Sequence, residues 1–334
     1  MASRTPVKEL SPGDDVRTIV VEVLDPSIRK TSAGKDYFQF TGRDDSGSVD
    51  FKKWTPTKLP DGGYKEEQEL RSGSIVQVKV TEVTEYRGSP QVKGFTYKVV
   101  PEDDQRYEKY AAMTKFGPSD KELDGIMGQM REMLSSISHP QLRKMCLAYL
   151  DENAARIRQC PAAPHKDGHH GYDGGFAKHV SGVMRLAKTH AEMVGSKFVS
   201  MSVVLAGAFL HDVGKFGAYT ERGLDRTTAG RLLGHIAIGL PIVDRLCEEH
   251  GVDAETATMV KHIVVSHHGR KKYGSPEEPQ TIEAEIVAWA DMADSRVEGV
   301  RMKLQNGLSP GDFVGNPKYG QHTAYVPPEP VEEE

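Results

Sequence analysis

His211 and Asp212 place an imidazole next to a carboxylate at the end of the apolar run Leu205-Ala-Gly-Ala-Phe-Leu210, and Lys215 follows three residues later. Both residue types bind metal ions well. A carboxylate and an imidazole at the end of a buried segment are costly unless a cation compensates them. A capped helix end with a solvated His-Asp pair is the plain alternative.

Similar residues recur downstream and upstream. His179 lies beside Phe176, Val180, Val183 and Leu186. His235 stands in Gly234-His-Ile-Ala-Ile238. His267-His268 closes a segment bearing Val260, Val264 and Val265, and Asp291 lies inside Ile286-Val-Ala-Trp-Ala-Asp-Met-Ala-Asp294. Singly, each reads as a core residue with its hydrogen bonds satisfied. Together, on the apolar faces of separate helices, they read as a metal site in the core of a bundle. One ion needs only about four ligands. Four histidines and two carboxylates, with Asp212 as a bridge, suit two ions about 3.5 to 4 Å apart. Nitrogen and oxygen donors without thiolate favour Mn, Fe, Co or Ni, and accept Zn or Mg less readily.

The elements that must position these residues begin near residue 119 and are helical. Ser119-Asp-Lys-Glu122 is a capping box. Behind it Leu123, Ile126, Met127, Met130, Met133 and Leu134 share one helical face. A second helix is expected over 140–159. The Gly-rich loop 165–175 carries His165, His169 and His170 and reads as a loop facing substrate or solvent. Helices are expected over 175–194, 200–212, 227–249, 254–268 and 282 to about 304.

The front of the chain has a β texture instead. Strands are expected at 18–24, 37–40, 48–54, 75–80 and 91–100, separated by Gly- and Pro-bearing turns. Five short strands fit a small Greek-key barrel of the OB type. Such barrels hold single-stranded nucleic acid with stacking aromatics and cations. Tyr37, Phe38, Phe40, Trp54 and Tyr86 are candidate stackers, and strand alternation sends some of them into the core. Arg29, Lys30, Lys35, Lys52, Lys53 and Arg87 are candidate phosphate partners. Residues 11–101 carry 14 Lys or Arg against 14 Asp or Glu, so any nucleic-acid groove is local.

The chain of 334 residues, with net charge -5, therefore divides into a lead-in (1–16), an all-β OB-type barrel (17–101) and a polar linker (102–118). An all-α helical domain (119–305) and a disordered tail (306–334) follow. No apolar run reaches the roughly 18 to 20 residues of a membrane span. The first residues lack the apolar core of a signal peptide. Cys146, Cys160 and Cys247 form no CxxC, which fits a reducing, cytoplasmic compartment.

The ordered series His179, His211-Asp212, His235, His267-His268 and Asp291 resembles the HD superfamily of metal-dependent phosphohydrolases. His211-Asp-Val-Gly-Lys215 matches its signature. Gly230-Arg-Leu-Leu-Gly-His-Ile236, Ser266-His-His-Gly269, Gly274-Ser-Pro276 and Glu283-Ala-Glu-Ile286 bring the match closer. With His169-His170, the Gly174-Gly175 pair and the barrel, the whole is similar to the YhaM-type 3′–5′ exoribonucleases. The resemblance spans about 15–305 and is tightest over 165–295. Phe176-Ala-Lys178 stands where Leu-Leu-Glu is expected, and Ala290-Asp-Met-Ala-Asp294 replaces a more usual Asp-Asn-Leu-Asp.

The resemblance implies that His179, His211, Asp212 and Asp291 hold one metal, and Asp212, His235 and His267 the other, with Mn2+ preferred. Asp212 and Lys215 are the implied catalytic pair. His169, His170, His268 and Arg270 are the implied substrate contacts at the metal site; Lys52, Trp54, Tyr86 and Arg87 are the contacts expected on the barrel from its OB type. Asp294 is the competing choice for the last ligand. The implied activity is metal-dependent 3′–5′ exonuclease action on single-stranded RNA or DNA. An HD phosphodiesterase acting on small nucleotides or cyclic dinucleotides is the first alternative, with the barrel regulatory. A non-catalytic nucleic-acid-binding module is the second. Self-association is left open, and no membrane partner is expected.

Overall fold

The structure, a computed structural model, describes residues 5–86, 89–163, 169–220, 225–304, 313–315 and 323–325. It has two compact units, one holding 1–117, 165–167 and 300–334, the other 118–164 and 168–299.

In the first unit β1 (Arg17–Lys30), β2 (Asp36–Asp44), β3 (Gly47–Lys53), β4 (Ile75–Tyr86) and β5 (Ser89–Val99) close into a barrel. The order is β1-β2-β3-β5-β4, and β4 returns to β1. Only β3 and β5 pair in parallel. This is the Greek-key connectivity of an OB barrel. Alternation fills its centre: Ile19, Val21 and Val23 point inward from β1, and Val76, Val78 and Val80 from β4. Phe40 and Phe51 stack across β2 and β3 with centroids 4.5 Å apart. Burying each ring is worth roughly 1.5 to 3 kcal/mol relative to exposing it. Phe38 and Phe40 are fully enclosed, so these two expected stackers are core residues instead.

Residues 65–69 form α1 (Lys65–Glu69), whose buried Glu66 binds Lys53 and accepts from Thr57 N at 2.9 Å. The segment expected to be a linker contains α2 (Tyr107–Thr114). Its Tyr107, Tyr110 and Ala111 pack on Val20, Ile75 and Val100 of the barrel unit. The two tyrosines, three apart on a short helix, carried too little apolar signal in a polar, Pro-bearing context.

The second unit is all helical: α3 (Asp120–Ser135), α4 (Pro140–Glu152), α5 (Ala154–Gln159), α6 (Gly175–Val194), α7 (Met201–Leu210), α8 (Lys215–Ala218), α9 (Thr228–Leu232), α10 (Gly234–Glu249), α11 (Ala254–Ser266) and α12 (Ile282–Leu304). The Ser119–Glu122 capping box forms at the start of α3. Every residue of α7 from Ser202 to Leu210 is buried, which makes it the central helix. Two expected helices are broken. Asn153 separates α4 from α5, its Nδ2 donating to Tyr149 O at 3.0 Å in competition with the backbone. Gly234, at φ 77, turns the chain between α9 and α10.

Most of 306–334 lies outside the described residues, so the expected disordered tail is not described there. Within it, β6 (Phe313–Gly315) pairs antiparallel with β7 (Thr323–Tyr325). No helix among the described residues is long and apolar enough to cross a membrane.

Candidate metal centre

The site is built where helices end on one another. α7 terminates at His211, whose Nδ1 donates to Ala208 O at 2.8 Å. α11 terminates in the same way: His267 Nδ1 donates to Val264 O at 2.8 Å. A carbonyl oxygen only accepts, so each Nδ1 carries the hydrogen and each Nε2 is left with a lone pair. His179 on α6 puts Nδ1 2.7 Å from Asp294 Oδ2. Its Nε2 is therefore aimed into the same space.

There the acceptors converge. Nε2 atoms of His179 and His211 lie 3.2 Å apart, and those of His235 and His267 lie 3.4 Å apart. Asp212 Oδ2 is 3.3 Å from both His179 Nε2 and His211 Nε2. Asp291 Oδ1 is 3.3 Å from His179 Nε2. The other oxygen of Asp212, Oδ1, is 3.2 Å from His235 Nε2 and 3.6 Å from His267 Nε2. That oxygen is buried and has no hydrogen-bond partner. Three compact donor sets occur among the described residues: His179–His211–Asp291 and His235–His267–His268, with Asp212 between them, and His170–His179–Asp294, which meets the first at His179. Lone pairs aimed at lone pairs repel unless a cation lies among them, so the residues fit divalent ions.

The electrostatics agree. Burial opposes charge on His179, yet hydrogen bonds to Asp212, Asp291 and Asp294 hold its pKa well above the ordinary value. The field that draws a proton to that nitrogen also draws a metal ion. Burial likewise opposes ionisation of Asp212, but Lys215 and His211 keep it a carboxylate far below its usual range. Burial pushes His235 down to about 3 and His267 well below its ordinary value, so both are neutral, as ligands must be. Lys215 is buried with Nζ 2.5 Å from Asp212 Oδ2. Burial disfavours its charge, and Asp212 more than restores it.

Close approach sets these distances. Gly214 lies against the start of α10, where a Cβ would come within 1.9 Å of His235 O. Only glycine lets the His211–Lys215 turn meet His235. At Gly182 on α6 a Cβ would come within 2.3 Å of Asp294 Oδ1.

Asp294 sits behind the Nε2 cluster. Its Oδ2 takes His179 Nδ1 and also His170 Nε2, at 2.8 Å. His170 Nδ1 meets Tyr172 OH at 2.9 Å, and that hydroxyl donates to Glu298 Oε1 at 3.0 Å. Asp291 therefore faces the Nε2 cluster, and Asp294 orients His179 from the far side. Tyr172 and Glu298 escaped the sequence reading. Glu298 falls seven residues after Asp291 on α12, a spacing that shares one helical face.

Other expected contacts are scattered. His169 has both ring nitrogens buried without partners, and its ring lies 4.9 Å from that of His179. The His268 ring is 4.4 Å from His267 and 5.1 Å from His235, with Nδ1 on Tyr273 O. Arg270 is on the exterior, 3.6 Å from Glu278. On the barrel, Lys52 Nζ lies 5.8, 6.0 and 5.2 Å from the ring centres of Tyr37, Trp54 and Tyr86. Trp54 and Tyr86 are half exposed. Lys53 is committed to Glu66 rather than free for phosphate. Arg87 lies outside the described residues.

Residues 176–295 match the family model described as HD domain. The chain is 28% identical to the 3'-5' exoribonuclease YhaM of Bacillus pumilus, over 85% of each chain. It is 29% identical to the protein of the same name from Bacillus subtilis, again over 85% of each. The Geobacillus protein of that name is 27% identical over 88% of this chain and 87% of its own.

Proposed function

With an HD domain of the metal-dependent phosphohydrolases over 176–295 as the premise, we propose that this hydrolase is a 3′–5′ exoribonuclease. It trims single-stranded RNA to nucleoside monophosphates. One observation carries the reading: Asp212 turns each carboxylate oxygen to a different set of imidazole Nε2 atoms. His179, His211, Asp212 and Asp291 are assigned to one divalent ion; Asp212, His235 and His267 are assigned to a second. Nitrogen and oxygen donors make Mn2+ the preferred metal, with Co2+, Fe2+, Ni2+ and Mg2+ as substitutes. Such ions neutralise charge on the phosphoryl oxygens and activate water at neutral pH.

The chain's own residues do the rest. Lys215 fixes the shared carboxylate and brings a permanent positive charge to the place where phosphoryl charge develops. His169 borders the Nε2 cluster and donates to a non-bridging oxygen, while His268, its Nδ1 hydrogen given to Tyr273 O, stands beside the cluster with Nε2 as an acceptor. His170 holds Asp294 in place, and Arg270 reaches the next phosphate from the rim. Tyr37, Trp54 and Tyr86, gathered around Lys52, stack bases of the upstream strand, with Arg87 beside them in sequence. Stacking is sequence-tolerant, so single-stranded DNA is accepted by the same face. The unpaired thiols of Cys146, Cys160 and Cys247 suit a reducing compartment.

Digesting 5′- and 3′-labelled RNA and DNA with a panel of divalent metals tests the proposal. A 3′ label is expected to leave at once as mononucleotide, while a 5′ label shortens stepwise. Internal cuts, or faster hydrolysis of cyclic dinucleotides than of RNA, would replace the reading.

A further inference from the structure

A cleft of about 580 Å³ opens on the helical unit between α3, α6 and α12, behind the metal ligands. Asp294 and His170 form its inner wall. Its carboxylates are already engaged. Glu122 accepts from Ser119 N and Oγ at 2.7 Å, Asp294 holds His170 and His179, and Glu298 accepts from Tyr172. Lys178 and Arg185, seven residues apart on one face of α6, have no carboxylate within ion-pair distance among the described residues. Lys178 lies 6.0 Å from the Tyr172 ring centre, and its charge reaches the Glu122 carboxylate. Beside these cations stand Ile126, Leu186 and Val297, the last two exposed apolar side chains.

We propose that this cleft is a second, non-catalytic site for a nucleoside monophosphate. The phosphate sits between Lys178 and Arg185, and the base covers Ile126, Leu186 and Val297. The volume falls in the ordinary range for small-ligand clefts, about 300 to 1,000 Å³. Two exposed cations beside exposed apolar surface match an anion joined to a flat apolar ring better than either group alone. The choice of a nucleotide rests on the exoribonuclease reading; the binding measurement does not.

The test uses the full chain, stripped of divalent ions with a chelator, and calorimetry with adenosine monophosphate. One nucleotide is expected per chain. Lys178→Glu with Arg185→Glu is expected to weaken binding about tenfold or more, some 1.4 kcal/mol at the least. Asp212→Asn is expected to leave it unchanged. Arg185→Gln serves as a milder variant, and equal thermal midpoints certify that the variants fold. The proposal is overturned if the stripped protein binds no nucleotide, or if Asp212→Asn removes binding while the charge reversals do not. It is also overturned if inorganic phosphate binds as tightly as the nucleotide. A failed exoribonuclease reading shows instead as intact RNA in the metal-loaded digestion.

Discussion

Nε2 of His179 and Nε2 of His211 face each other at 3.2 Å, although the Nδ1 of each is already hydrogen bonded. Two imidazoles take up that arrangement when a positive charge is to lie between them. On the proposed reading, a metal between them is part of the fold's stability. Adding Mn2+ to chelated protein is expected to raise the melting temperature, with about 2.7 kcal/mol gained at a hundredfold excess over Kd. His211→Ala should lose that increase together with RNA hydrolysis. Differential scanning fluorimetry with and without metal reads it directly.

On the proposed reading, Lys215 is where metal binding and turnover come apart, since its ammonium lies on Asp212 Oδ2 and it offers no lone pair to a metal. Lys215→Met is expected to keep its metal content while kcat falls by about a hundredfold. Metal analysis beside single-turnover kinetics checks this. Loss of the ions in Lys215→Met would make the lysine structural.

Gly182 gives a steric test of the carboxylate behind His179. Gly182→Ala pushes a methyl toward Asp294 Oδ1, since its Cβ would lie 2.3 Å away. Misorienting a metal-binding histidine through its second hydrogen bond costs roughly 10- to 100-fold in metal affinity. Gly128→Ala on α3, where a Cβ meets nothing within 4 Å, is the matched control. There a helix-stabilising gain of up to about 1 kcal/mol is expected.

The histidines set the acid limit of the metal-free protein. Burial lowers the pKa of His169, His170, His235, His267 and His268 below 6.5, His235 to about 3. Below pH 6.5 the unfolded chain binds protons that these folded residues refuse, so stability falls as pH falls. His179 acts oppositely, since its raised pKa favours the folded state below 6.5 and loses that advantage as pH rises through the raised value. Five lowered groups outweigh one raised group. Asp212, Asp291 and Asp294, all depressed, withdraw further stability once pH drops below the usual carboxylate range. The melting temperature of chelated protein is expected to fall between pH 7.5 and 5, and His235→Gln should flatten the slope. An unchanged melting temperature across that interval would contradict the assignment.

The barrel face is tested by substrate length. Trp54→Ala is expected to weaken binding of long RNA by the value of about one stacked base, 1 to 3 kcal/mol. Hydrolysis of a dinucleotide should be unaffected. Lys52→Ala should flatten the salt dependence of binding. Equal losses on long and short substrates would remove the barrel from strand binding.

Much of this was legible in the chain itself. Ligand types and their helices are local properties: an apolar stripe, a capping residue, and a histidine where the stripe ends. The barrel was equally readable, because two-residue alternation assigns side chains to faces. What the sequence left open were directions and partners. Phe38 and Phe40 went inward while Trp54 and Tyr86 stayed out, because barrel closure, rather than aromatic character, decides which face is buried. Asp291 and Asp294 stand three apart on one helix and were interchangeable on spacing. Only the packing of α6 against α12, with Gly182 making room, puts Asp294 on Nδ1 of His179 and Asp291 on its Nε2. A ligand's identity is written in its residue type, but the nitrogen it presents depends on what tertiary packing places against the other one.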